Sequence, residues 1–143
     1  MKVCRVAEIR KLDKRATTEY GIPTEILMEN AGEAVYSVIR SEFGVAGKKF
    51  AVLCGPGNNG GDGFVVARKL HSSSGEVKVL LFADIEKYQG AAKKTLEILN
   101  HFPIEIKEVK STRQIESSIT GVDAIVDALL GTGLDRDVDG ILR

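Results

Sequence analysis

Cys54-Gly55-Pro56-Gly57-Asn58-Asn59-Gly60-Gly61-Asp62-Gly63 joins an apolar, strand-like segment, Phe50 to Cys54, to an apolar, helix-like segment that begins near Gly63. A strand, a glycine-rich turn and a helix in that order make the layout that cradles phosphate. Five glycines in nine residues allow positive φ and let a ligand approach main-chain N–H groups without interference from a Cβ. The helix that follows adds the positive end of its dipole. The expected ligand is anionic, a nucleotide first, with Gly60 and Gly61 bordering it. Gly55, Gly57 and Gly60 also satisfy the spacing of a dinucleotide turn, but that match alone is weak. Asn58, Asn59 and Asp62 are not what an ordinary cofactor turn needs. A turn whose glycines serve only the backbone is the competing reading, and three further polar groups on one concavity weigh against it.

Outward from this run the chain alternates. Phe50 to Cys54, Val77 to Phe82, Ile104 to Val109 and Ala124 to Leu129 read as strands. Between them the pattern predicts helices near Gly63 to His71, Tyr88 to Phe102 and Thr112 to Ile119, the last with Ser111 as its cap. Two helices come first. One carries Val6, Ile9, Leu12 and Ala16 on one face and closes at Gly21-Ile22-Pro23. The other starts at Thr24, a candidate N-cap, and its expected buried stripe is Leu27, Ala31, Ala34, Val35, Val38 and Ile39. The expectation is an α/β fold: a Rossmann-like, doubly wound, mostly parallel sheet with two N-terminal helices before the first strand. If the strand order reverses beside that strand, the glycine-rich loop and the segment Asp127 to Asp137 flank one crevice at the carboxyl ends.

Composition narrows the classes. A chain of 143 residues with ordinary apolar content fits one domain, and no second domain fits within residues 1–143. Twenty basic residues balance twenty acidic ones, which gives no electrostatic reason to expect nucleic acid or an anionic membrane. Cys4 and Cys54 lack metal-ligand spacing and read as small buried hydrophobes of a reducing compartment rather than as a disulfide framework. No window approaches a signal core or a membrane span, so a cytoplasmic location is expected.

Within the expected crevice, Asp127 interrupts an apolar strand, and a buried carboxylate needs backbone donors, a basic group or a cation. A loop-capping carboxylate is the plainer alternative; with an amide oxygen from Asn59 it would instead supply hard oxygen ligands for a group I or II cation. Amides around Gly60, Gly61 and Gly131 to Gly133 suit phosphate, whereas Asp62 would repel it and better suits a hydroxyl or a cap. Glu29 and Asn30 are read either as the polar edge of a packing face or as a substrate contact. His71 and His101 are read as solvated or helix-capping, and Arg136 as a candidate phosphate contact.

Gly55 to Arg68, read together with Leu27-Met28-Glu29-Asn30-Ala31-Gly32 and Val126-Asp127-Ala128-Leu129-Leu130-Gly131-Thr132-Gly133-Leu134, resembles the YjeF N-terminal domain family, the NAD(P)H-hydrate epimerases. The resemblance spans nearly the whole chain. It implies an isomerase that interconverts the R and S forms of hydrated NADH and NADPH. It implies potassium at Asn59 and Asp127. It implies substrate contacts along Asn58, Asn59, Gly60, Gly61 and Asp62 and along Gly131, Thr132, Gly133, Leu134, Asp135, Arg136 and Asp137. Epimerisation needs a positioned acid or base, for which Asp127 is the candidate. The family continues past the point where this chain stops, so residues 1–143 are expected to lack its C-terminal portion and to turn over little alone. A homodimer, and an ADP-dependent dehydratase domain fused in a longer native chain, are the partner arrangements implied. A non-catalytic nucleotide-binding or dimerisation module of the same fold is the alternative. An NAD-dependent oxidoreductase, with Asp84 on the adenine ribose, ranks third.

Overall fold

Alternation of apolar runs with turn residues does produce a layered sheet. The computed structural model describes residues 4–133 and 137–138. Its elements are α1 (Val6–Thr18), α2 (Thr24–Glu42), β1 (Lys49–Cys54), α3 (Asn58–Ser72), β2 (Glu76–Leu81), α4 (Gly90–Leu99), β3 (Glu105–Glu108), α5 (Thr112–Ile119) and β4 (Ala124–Ala128), with a short 3-10 turn at Ile85–Lys87. All pairings are parallel and the strand order is β3-β2-β1-β4. Val52 lies between Val79 and Val126, so the register sets β-branched side chains side by side at the centre. The order reverses beside β1, as expected.

Helices cover the two faces unequally. Phe64, Val65, Val66, Ala67 and Leu70 of α3 pack with Val52, Val79, Ala92, Leu96, Leu99 and Tyr88 in the main core. On the other face α5 lays Ile115 and Ile119 against Leu80, Phe82 and Val109. That second cluster is small, and Ile125 of the outer strand β4 remains 48% exposed beside it.

The two N-terminal helices form where the spacing predicts but bury other residues than expected. On α2 the buried side is Met28, Gly32 and Tyr36, with Ile39 half-buried; Val35 and Val38 are exposed. Gly32 is the reason. A Cβ there would lie 2.5 Å from the Val65 side chain, so only glycine lets α2 press onto α3. Glu29 then reaches Arg68 at 2.6 Å and Lys69 at 3.0 Å, and Tyr36 Oη lies 2.6 Å from Ser73 Oγ. Thr24 is the first helical residue rather than the cap, which is Pro23. Ser111 does occupy the N-cap position of α5, without a side-chain capping bond. Helix α1 buries none of its side chains, and its stripe of Val6, Ile9 and Leu12 faces solvent.

Candidate functional site

Helix α3 starts inside the glycine run, at Asn58, five residues before the expected start. Gly57 is its N-cap in extended conformation, and its first bond runs from Gly61 N–H to Gly57 O at 3.3 Å. The amides of Asn58, Asn59 and Gly60 have no backbone acceptor among the described residues. They open at the carboxyl end of β1, where the helix dipole is positive.

The glycines work differently from the expectation. None of the five in this run has positive φ. Gly55 lies against the Leu129 carbonyl and Gly60 against the Gly55 carbonyl, each too close for any Cβ. On Gly61 a Cβ would meet the end of Met28 at 2.5 Å, and on Gly63 it would meet the Ala128 Cβ at 2.7 Å. Four of the five glycines therefore serve close packing of the loop and helix on the protein itself. Gly57 alone has open space where its Cβ would stand. Gly60 and Gly61 are both buried, while Gly57 and Asn58 are exposed.

The reversal of strand order joins this loop to the turn after β4. Gly55 N–H donates to Ala128 O at 3.0 Å, and a Cβ on Gly131 would stand 3.0 Å from the Asn59 Cβ. Asn59 and Gly131 are thus neighbours. Gly131, Thr132, Gly133 and Asp137 are exposed, and Gly131 stands beside the first turn of α3. Leu134, Asp135 and Arg136 lie outside the described residues.

Asp127 is exposed, not buried, because β4 is the outer strand of the described sheet. Its Oδ1 accepts the Leu129 N–H at 3.0 Å, the loop-capping arrangement. Alternation along β4 aims it away from Ala128, whose Cβ faces Gly63 of α3. No hydrogen bond joins Asp127 to Asn59 among the described residues.

Asp62 was expected to meet a hydroxyl or a cap. It is half-buried and forms no hydrogen bond among the described residues. Burial pushes its carboxyl up to about 6, helped by the like charge of Asp13 on α1. On α3 it shares a side with Asn59, three residues earlier. Spacing alone could not show that Asp13 approaches from another helix.

Other candidates resolve into structure. Glu29 joins α2 to α3: burial opposes its ionisation, but hydrogen bonds from Arg68 and Lys69 outweigh that and hold its carboxyl below the usual range. Asn30 and His101 are exposed, and His71 meets Phe102 edge-on with ring centres 6.3 Å apart. Asp84 is paired with Lys87 at 3.4 Å. Cys54 is buried as expected, but Cys4, the first described residue and ahead of the unburied α1, is exposed; burial pushes the Cys54 thiol well above its ordinary range. A cavity of about 530 Å³ lies at the opposite, amino-terminal ends of the strands. Its lysines and glutamates pair across strands, Lys49 with Glu76 and Lys78 with Glu105, each at 3.8 Å. No helix among the described residues is long and apolar enough to cross a membrane.

Residues 24–143 match the family described as YjeF-related protein N-terminus. The chain belongs to that family. Its relatives include the bifunctional NAD(P)H-hydrate repair enzyme Nnr of Thermofilum pendens, 43% identical across 100% of this chain and 28% of that protein. The NAD(P)H-hydrate epimerases of Rhodopirellula baltica and Levilactobacillus brevis are 38% and 34% identical, covering 92% and 97% of this chain and 53% and 61% of theirs. A crystal structure of the yeast protein YNL200c superposes with a TM-score of 0.83 at 27% identity, covering 97% of this chain and 60% of that one. This YjeF-family chain therefore spans little more than a quarter of the repair enzyme and between half and two thirds of the epimerases.

Proposed function

We propose that the chain is the nucleotide-binding part of an NAD(P)H-hydrate epimerase, an isomerase acting on the hydrated nicotinamide ring of NADH and NADPH. The observation that carries this reading is the opening of α3 at Asn58, beside Gly131 and at the reversal of strand order. Unpaired amides at a helix N-terminus, bordered by a turn of small residues, suit the pyrophosphate of a dinucleotide. Kinship to two proteins named as epimerases supplies the reaction. On this reading Asn58, Asn59, Gly60, Gly61 and Asp62 with Gly131, Thr132, Gly133 and Asp137 border the substrate, and the family resemblance assigns the same role to Leu134, Asp135 and Arg136, outside the described residues.

Asn59 and Asp127 are the residues that would hold potassium. The donor chemistry fits, since both offer hard oxygen and Asp127 keeps one carboxylate oxygen free of hydrogen bonds among the described residues. When bound, the ion supplies positive charge at the strand ends next to an anionic ligand. A relative named as bifunctional makes a fused second domain reasonable for a longer protein, and a homodimer and a cytoplasmic location belong to the same reading.

The test is equilibration of NADH hydrate enriched in one epimer, followed chromatographically above the protein-free rate. Since residues 1–143 are expected to turn over little alone, a small acceleration is expected with protein in excess; a chain that also fails to bind the hydrate in calorimetry would remove the epimerase assignment. A paired experiment isolates the ion: potassium should raise the melting temperature of the wild type but not of Asp127→Asn. Equal shifts in both would leave Asp127 a loop-capping carboxylate.

A further inference from the structure

Asp62 has surroundings that neither a cap nor an ion pair explains. Gly32 lets the α2 backbone close on Asp62, since a Cβ there would stand 3.0 Å from the Asp62 carbonyl oxygen, and this holds the first turns of α3 in place. The carboxyl lies on the side of α3 shared with Asn59, which abuts Gly131 of the β4 turn. It is half-buried and has no hydrogen-bond donor among the described residues. The charged group that approaches from α1 is another carboxylate, Asp13. On α2, Glu29 is already paired with Arg68 and Lys69, and residues 129–133 carry no titratable side chain. A carboxylate half out of water beside a like charge lowers stability, and such groups gather where proton transfer is needed.

Resting on the epimerase reading, we propose that Asp62 is the acid/base of the reaction, carrying a proton between the hydroxyl of the hydrated ring carbon and the adjoining ring nitrogen. The carboxylate takes the hydroxyl proton, and the oxygen's electron pair closes a carbonyl. The carbon–nitrogen ring bond breaks with its pair passing to nitrogen, and Asp62 delivers the same proton there. Rotation of the freed aldehyde and reversal of these steps reclose the ring with the hydroxyl on the opposite face. One proton leaves oxygen and returns to it, and nothing is oxidised, reduced or consumed. Asp127, bound to the Leu129 amide, is left to the cation.

The experiment uses the 143-residue chain in excess over NADH hydrate enriched in one epimer, between pH 5 and 8, with calorimetry of hydrate binding alongside. The wild-type rate should rise through an inflection near 6, the position to which burial and Asp13 push the carboxyl. Asp62→Asn should lose about 100-fold or more in rate while binding within about threefold of wild type. Its residual rate should show no inflection, and Asp13→Asn should move the wild-type inflection to lower pH. Asp62→Asn turning over within threefold of wild type, or keeping the inflection, overturns the assignment. Parallel loss of affinity and rate makes Asp62 a binding residue and also overturns it. A wild type that neither binds nor accelerates removes the epimerase reading and this role with it, whereas an active wild type with an equally active Asp62→Asn removes this role alone.

Discussion

Asp62 also weakens the fold at neutral pH. Its carboxyl moves from 3.8 up to about 6 on folding, so the native chain holds a proton that the unfolded chain has released. Stability therefore falls as pH rises between about 4 and 6, and the full penalty persists above that. Asp62→Asn removes it. Discounted for partial solvent access, the gain at pH 7 is about 1–2 kcal/mol, or about 2–5 °C in melting temperature, and near zero at pH 4. Calorimetric melting at the two pH values checks it; equal gains at both would show that titration is not the cause. The glycines permit a sharper contrast. Gly61→Val drives a branched side chain into Met28 and Ala92 and should cost about 2–4 kcal/mol in urea unfolding, whereas Gly57→Ala, with open space and an extended backbone, should leave the midpoint almost unchanged. The presence of a special loop was legible from its glycines, but their task was not, because close packing and ligand approach call for the same residue.

Among the elements, the join between α2 and α3 decides how firmly the site is held. Glu29 meets Arg68 and Lys69 at once, while Gly32 brings the helix axes together above Val65. Glu29→Ala leaves two cations without this partner and should destabilise by about 1 kcal/mol, a modest figure because the pair is partly exposed. A melting curve shows it, and a loss that disappears in high salt would confirm the electrostatic origin. The alternating strands, the crossover helices and the span of α5 were all readable from periodicity. The buried side of α2 was not, since apolar residues occur on two of its faces and only the Met28-Gly32-Tyr36 spacing marks the closer one. The start of α3 was hidden for another reason. Three glycines in its first turns cost about 1 kcal/mol each in helix propensity, and tertiary contact overrides that cost.

For the molecule as a whole, the sheet is thick on the α3 side and thin on the α5 side. Hydrogen exchange should follow this: amides of β1, flanked by strands and covered by α3, exchange last, and those of β4 and β3 exchange earlier. Uniform protection across the four strands would contradict the arrangement. Balanced charge and one dominant core were visible in composition, but the unequal cover could not be, because it depends on which face each crossover takes. Helix α1 gives the final consequence. It buries no side chain yet brings Asp13 toward the half-buried Asp62 carboxyl, which forms no hydrogen bond among the described residues. Trimming the chain before Thr24 should therefore act as a change of voltage more than a loss of masonry: the remaining domain keeps its cooperativity, and the Asp62 carboxyl gives up its proton more readily.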